Sequence, residues 1–334
     1  MQARISFPSE ISPTALQVFE LYFFKEFVQE TLLSLINALI EEGQEVTYGE
    51  FLLFLGLWLL MATIEGPTRK QFFTTKTIDA FDGAPYRLNV YMSGNRFENI
   101  LKAMTYTDDE PPPYQDKFHP VRLMIDEWNK NMSLVFTPSY ISCLDESMSF
   151  WSSKYSCPGF MFVPRKPWPF GNEYHTICCA LSGVMYQIEI VEGKDRPKEM
   201  GKPEYESRGG PTVGLLLRLT KCIWGTGRII VLDSGFCVLQ AIIELAKVGC
   251  YAAALIKKRR YWPKYVRGEE IKKYFEAKNV GDVDAITGKL DNVPFHYCAM
   301  KEPDYVMMLM ATYGTLERSG ENKIRIVNGN RVTF

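Results

Sequence analysis

Asp145 and Asp233 are the two positions in this chain of 334 residues whose types and settings point most directly to chemistry. Asp145 stands with Glu146 inside 141–151, a stretch whose alternation suits a strand. Leu144, Met148 and Phe150 fall on one face, with Cys143 and Asp145 on the other. Strand interiors disfavour Asp, so two successive acids need a reason. A wet outer edge strand is one reason; a carboxylate held on a rigid sheet as a metal ligand is the other. Asp233 ends the apolar run Ile229-Ile230-Val231-Leu232 and precedes Ser234-Gly235 and a predicted helix. In open α/β sheets ligands bind at the carboxyl ends of strands, although an Asp there is also a competent helix N-cap. Mg²⁺ prefers oxygen ligands and takes one or two carboxylates, with water and substrate phosphate completing its shell. Two such ions about 3.5–4 Å apart can activate a nucleophile and stabilise the leaving oxygen of a phosphodiester. Acids 88 positions apart, brought together on neighbouring strands, would suit such a site.

A second constellation is basic: Lys257-Lys258-Arg259-Arg260-Tyr261-Trp262-Pro263-Lys264, continuing to Arg267. Cations neutralise phosphates and interleaved aromatics stack on unpaired bases. The same density of Lys and Arg also fits a nuclear-import signal or a solvated face. Arg165, Lys166 and Arg208 are weaker members of the same class. Because the whole chain carries a net charge of only −1, any affinity for nucleic acid must come from such a patch. The charge is uneven: residues 1–60 set eight acids against Arg4 and Lys25, whereas 251–280 set nine Lys/Arg against Glu269, Glu270 and Glu276. Neither a G-x-S-x-G elbow nor a phosphate-binding G-x-x-x-x-G-K-[ST] loop is present. Cys178-Cys179 lies near His175, but small buried hydrophobes explain strand cysteines more simply than a nucleophile does. The eight cysteines lack C-x-x-C spacing, which fits reduced thiols, and three histidines argue against structural zinc.

The elements that must position these groups follow from periodicity. At 46% hydrophobic and 23% charged residues, the chain has a globular composition. Its first third reads as helical. Ser12-Pro13 suits a helix start, and Leu16, Phe19, Phe23 and Phe27 share a face. Thr47 and Glu50 form a capping box before a buried core helix over 51–64, which is too short to cross a bilayer. The N-terminus lacks a secretion signal. Ser93 caps a third helix to Met104, and Val121, Ile125, Trp128 and Met132 mark a fourth. Beyond Pro138 the pattern predicts a mixed sheet with helices packed on it. It comprises a hairpin over 174–181 and 184–191, an exposed loop over 194–210, helices over 213–222 and 236–247, and strands over 228–232 and 251–256. A β-rich tail follows, over 293–300, 305–312 and 323–327.

Taken in order, these segments resemble the piggyBac transposase family. The likeness rests on 48–64, the Met92-Ser93…Arg96-Phe97 helix before Asp108-Asp109, and Phe118-x-Pro120-Val121-Arg122…Asp126-x-Trp128. It continues in Leu144-Asp145-Glu146, Pro164-x-Lys166-Pro167…Phe170-Gly171 and Ile230-Val231-Leu232-Asp233-Ser234-Gly235-Phe236. The resemblance implies an α/β, ribonuclease H-like mixed sheet with flanking helices, preceded by an all-α region and followed by a β-rich insertion. It divides the chain into a helical dimerisation and DNA-binding region (1–137), the first part of a catalytic core (138–256), and a basic segment with the insertion (257–334). It further implies three Asp ligands for two Mg²⁺ ions (or Mn²⁺), hydrolytic cutting of DNA at transposon ends, and joining of the freed 3′-hydroxyl to target DNA. Members act as homodimers on DNA in the nucleus, with no membrane partner. Asp145 and Asp233 match the first two acids in catalytic and metal-binding roles. Arg165, Lys166, Lys257, Lys258, Arg259, Arg260, Lys264 and Arg267 are the DNA-contact candidates. The family's third acid lies beyond the insertion, past Phe334, and Asp282 and Asp284 do not take its role. The expectation is a transposase-derived chain truncated before that acid and inactive as it stands. The alternative is a non-catalytic DNA-binding protein on the same fold.

Overall fold

A computed structural model describes residues 4–5, 14–74, 84–151, 157–164, 166–256, 268–314, 324–327 and 330–333. Contacts divide the chain into two compact units, Pro8–Asn131 and Met132–Phe334 with Met1–Phe7.

Helices α1 (Ala15–Tyr22), α2 (Lys25–Phe27), α3 (Leu33–Asn37), α4 (Tyr48–Ala62), α5 (Arg69–Phe72) and α6 (Gly94–Ala103) build the first unit, and α7 (His119–Val135) runs out of it. The expected Ser12-Pro13 start lies outside the described residues. The first described helix is instead capped by Thr14, whose hydroxyl accepts from Gln17 N at 3.2 Å while Gln17 Oε1 accepts from Thr14 N at 2.8 Å. At α4, Thr47 Oγ1 accepts from Glu50 N at 3.2 Å, as expected. The Glu50 carboxylate accepts two bonds of 2.7 Å from Arg96, a charge-assisted bidentate pair stronger than a return bond to the cap. Ser93 caps α6 through Arg96 N at 3.1 Å. Phe51, Phe54, Phe72 and Phe97 form the buried centre, with the rings of Phe54 and Phe97 4.7 Å apart. The reading of α4 as wholly buried needs correction. Only Phe51, Phe54 and Leu57 are buried along it, while Leu53, Trp58 and Leu59 face outward.

The second unit opens with a short ladder of β1 (Arg4–Ile5) and β2 (Phe136–Thr137). Its main strands are β3 (Ile141–Phe150), β4 (Phe160–Phe162), β5 (Phe170–Cys179), β6 (Met185–Ile190), β7 (Ile229–Leu232), β8 (Tyr251–Leu255), β9 (Val283–Leu290), β10 (Val293–Lys301) and β11 (Val306–Ala311). They form one sheet in the order β4-β5-β3-β7-β8-β11-β10-β9, with β6 also paired to β5. Only β3·β7 and β7·β8 are parallel among these pairs, so the sheet is mixed. A separate hairpin joins β12 (Ile324–Val327) and β13 (Asn330–Thr333). Helices α8 (Pro211–Thr220) and α9 (Leu239–Lys247) cover one face, over Ser142 and Leu144 of β3, Ile230 and Leu232 of β7, and Ala252 and Ala254 of β8. The small alanines suit close approach of α9. The loop over 194–210 contains three short 3₁₀ turns.

The tail strands extend this sheet through antiparallel pairing of β11 with β8. Two elements of that region escaped the periodicity reading: α10 (Gly268–Glu276) and β9. In β9 the apolar alternation is broken at Gly288, where an added Cβ would stand 2.5 Å from the Phe295 ring. Burial under that ring, which only pairing with β10 reveals, explains glycine inside a strand.

Candidate functional site

The site is built by strand register. β3 runs parallel to β7 with Leu144 beside Leu232, so Asp145 and Asp233, one residue further on, leave the two strands at the same level. Neighbouring strands lie about 4.8 Å apart, which puts the two backbones within joint reach of one ion. By strand alternation Asp145, like Cys143 and Val231, belongs to the face opposite α8 and α9. Cys143, Asp145 and Val231 are exposed there and Asp233 is half-buried. Oδ1 of Asp145 accepts from Glu146 N at 2.8 Å, and Asp145 faces Thr176 across β5. Desolvation and the charge of Asp145 hold the Cys143 thiol above its usual pKa, so it stays protonated at neutral pH.

The surroundings of the two acids differ from simple edge and cap positions. β3 is flanked by β5 and β7, and Asp145 lies where the β7-side ladder ends, one residue past Leu144, while β5 pairs with β3 on to Phe150. α9 begins at Leu239 after Val238, so Asp233 does not cap it. Asp233 instead opens a tight turn in which its carbonyl accepts from Phe236 N at 3.0 Å. That turn passes against Glu146, whose Oε1 lies 3.0 Å from where a Cβ on Gly235 would stand. Glu146 thus points to the helix-covered face, where His175 lies opposite it on β5 and meets Phe236 edge-on at 5.3 Å. Arg218 on α8 grips Glu189 of β6, at 2.8 and 2.7 Å. No spacing in the sequence signals that Arg218–Glu189 pair; it follows from pairing of β5 with β6.

Among the cationic candidates, Lys166 comes to the site: its Nζ donates to the carbonyl of Glu146 at 3.1 Å. Arg208 is engaged within the chain, 3.8 Å from Glu244 and over the Tyr205 ring. Arg165, Lys257, Lys258, Arg259, Arg260, Lys264 and Arg267 lie outside the described residues. Asp284 is five strands from β3, roughly 24 Å at ordinary strand spacing, too far to join the pair. Among the described residues, no three His, Cys, Asp or Glu side chains gather to hold an ion. The pair offers hard oxygen donors, which suit Mg²⁺ or Mn²⁺ when water and a substrate phosphate fill the other positions.

A family model described as Transposase IS4 matches residues 14–331. The chain belongs to that family, in its piggyBac type. Human PiggyBac transposable element-derived protein 3 is 28% identical over 151 residues, 45% of this chain and 24% of that protein. The human Chimeric ERCC6-PGBD3 protein is also 28% identical over 151 residues, 14% of its own length. A solved structure, the cryo-EM structure of piggyBac transposase synaptic complex with hairpin DNA, is similar with a TM-score of 0.70 at 17% identity. That likeness covers 99% of this chain and 66% of the solved one, and it concerns the fold. This piggyBac-type chain therefore spans less than two thirds of each of these relatives. No helix among the described residues is long and apolar enough to cross a membrane.

Proposed function

We propose that this chain is the core of a DNA transposase-derived protein in which Asp145 and Asp233 hold divalent metal against a DNA phosphodiester. The observation that supports this reading is the parallel register of β3 and β7, with Leu144 beside Leu232 immediately before the two acids. In this reading the mixed sheet is ribonuclease H-like, residues 138–256 are its catalytic part, and the protein works as a dimer on DNA in the nucleus. Bound Mg²⁺ would supply Lewis-acid activation of water and of a 3′-hydroxyl. The protein's own contribution is placement. The two strands carry the carboxylates at one level, Lys166 brings a cation beside them for the phosphate, and Gly235 lets the turn after Asp233 pass close to Glu146. The basic run from Lys257 to Arg267 extends the DNA surface.

Divalent binding tests this directly. Titration of the chain with Mn²⁺ should raise its melting temperature by mass action, with about 2.7 kcal/mol of stabilisation at a hundredfold excess over Kd. In Asp145→Asn and Asp233→Asn the shift should vanish while the unliganded fold holds, because each side chain is partly or wholly open to solvent. An unchanged Mn²⁺ response in both variants defeats the assignment. A second reading, a DNA-binding protein without turnover, draws on the site holding two acids and not three among the described residues. It is distinguished by salt-sensitive DNA binding that Lys257→Ala with Arg259→Ala weakens, Asp145→Asn spares, and no Mn²⁺-dependent nicking accompanies.

A further inference from the structure

Glu146 touches every part of the candidate site, and it does so with three different groups. Its N–H donates to Asp145 Oδ1 at 2.8 Å, and its carbonyl accepts from Lys166 Nζ at 3.1 Å. Its carboxylate stands against the turn that follows Asp233. That last contact is close. A Cβ on Gly235 would lie 3.0 Å from Glu146 Oε1, so even one methyl group there has to push the carboxylate aside.

Alternation gives the two successive acids different faces. Asp145 turns to the open side of β3 and Glu146 to the other. There His175 lies beside Glu146 at the same register of β5, and the two side chains meet consecutive residues of the turn. Glu146 meets Gly235, and His175 meets Phe236 edge-on at 5.3 Å. The register of β3 with β7 ends at Leu144 and Leu232, one residue before each metal-ligand candidate. Beyond it the turn closes on itself, with Phe236 N donating to Asp233 O at 3.0 Å. Side chains therefore set where this turn sits against β3, and Glu146 reaches it from the residue next to Asp145.

We infer that Glu146 is a positioning residue for the acid pair. Its carboxylate seats the turn and so fixes Asp233 relative to Asp145, while its main chain orients the Asp145 carboxylate and holds Lys166. The role presupposes that Asp145 and Asp233 hold metal, as proposed above. It also accounts for a second acid directly after the first inside a strand, where acids are disfavoured. Partners that orient metal ligands typically contribute about 10–100-fold to affinity.

The test follows Mn²⁺ binding to the whole chain by loss of the free ion's electron paramagnetic resonance signal. Glu146→Ala should weaken binding at least about tenfold. Glu146→Gln keeps the length of the side chain and an oxygen at its end, and should bind near the unaltered affinity. Gly235→Ala presses on the same contact from the other side and should also cost about tenfold. Added to Glu146→Ala it should cost little more, because the carboxylate it strikes is gone. Amide exchange at Phe236 reads the turn without metal, and should quicken in Glu146→Ala but not in Glu146→Gln.

Unchanged Mn²⁺ affinity in Glu146→Ala overturns the role and leaves the acid pair standing. Equal losses in Glu146→Ala and Glu146→Gln overturn it in favour of a carboxylate that acts through its charge. Additive losses for Glu146→Ala and Gly235→Ala overturn it as well. Should Glu146→Ala fail to fold, full Mn²⁺ affinity in Gly235→Ala decides against the role. Absence of Mn²⁺ binding to the unaltered chain defeats the acid pair itself, and Phe236 exchange then decides alone whether Glu146 seats the turn.

Discussion

In the helical unit, Phe51, Phe54, Phe72 and Phe97 close on one another from several helices, and almost nothing of them meets solvent. Across β3, β7 and β8 the apolar residues are divided. Leu144, Ile230, Leu232, Ala252 and Ala254 lie beneath α8 and α9, while Cys143, Val231 and Tyr251 face outward on the side that carries Asp145. Aromatic packing in the first unit holds helices together; in the second, one face of the sheet takes the packing and the other stays accessible. Under the proposed function, carboxylates that meet a metal and a phosphate need a stiff support and access to solvent. The paired strands β3 and β7 would offer both, because their ladder runs up to the residues just before the acids and the helices cover only one face.

The largest effect expected from this contrast is at Phe54, which is wholly buried against Phe51 and Phe97. Phe54→Ala should lose about 3–5 kcal/mol, measured by denaturant unfolding of the helical unit. The sharper comparison lies within β7, between adjacent residues. Leu232, 2% exposed beneath the helices, should lose about 2–5 kcal/mol on change to Ala. Val231→Ala, at a position 42% exposed on the other face, should stay within about 1 kcal/mol. Equal losses at the two positions would mean that the acid-bearing face is packed in solution, and the distinction between the faces would fail.

Much of this was legible from local pattern. Alternation placed Cys143 and Asp145 opposite Leu144, and Ser93 and Thr47 marked helix starts that the hydrogen bonds bear out. These signals act over a few residues, where backbone geometry leaves little choice. The convergence of Asp145 with Asp233 was not legible in that way. Asp233 ends an apolar run and Asp145 stands inside an alternating strand, yet which strands are neighbours, and at what register, depends on contacts 88 positions apart. Only the pairing shows that β3 lies between β5 and β7, with the β7 ladder ending just before Asp145, and that α9 starts at Leu239, too late for Asp233 to cap it. The bond from Lys166 to Glu146 has the same long-range origin. Helix α10 and strand β9 escaped because Gly288 and the solvent-facing positions of β9 blur its alternation.

A smaller effect probes the packed face from the pH side. His175 is largely desolvated beneath the helices, which lowers its pKa below 6.5; Glu189 pulls the other way, and Arg218 lowers it again. Glu173 stands 3.7 Å from its ring, and Glu146 lies opposite on β3, so the charges around it are mixed. Burial is the largest influence, and the imidazole stays neutral in the fold at pH values where the unfolded chain already binds a proton. The unfolded state then holds the greater number of protons, and stability falls as pH drops from about 6.5 towards the folded pKa, by at most about 1.4 kcal/mol per pH unit from this one group. Above that window both states are neutral and the contribution is constant. His175→Gln should flatten this part of the stability–pH curve relative to the unaltered chain, with carboxylate titration common to both. A curve of unchanged slope would show that His175 is hydrated in solution. The face beneath α8 and α9 would then be as open as the one that carries Asp145.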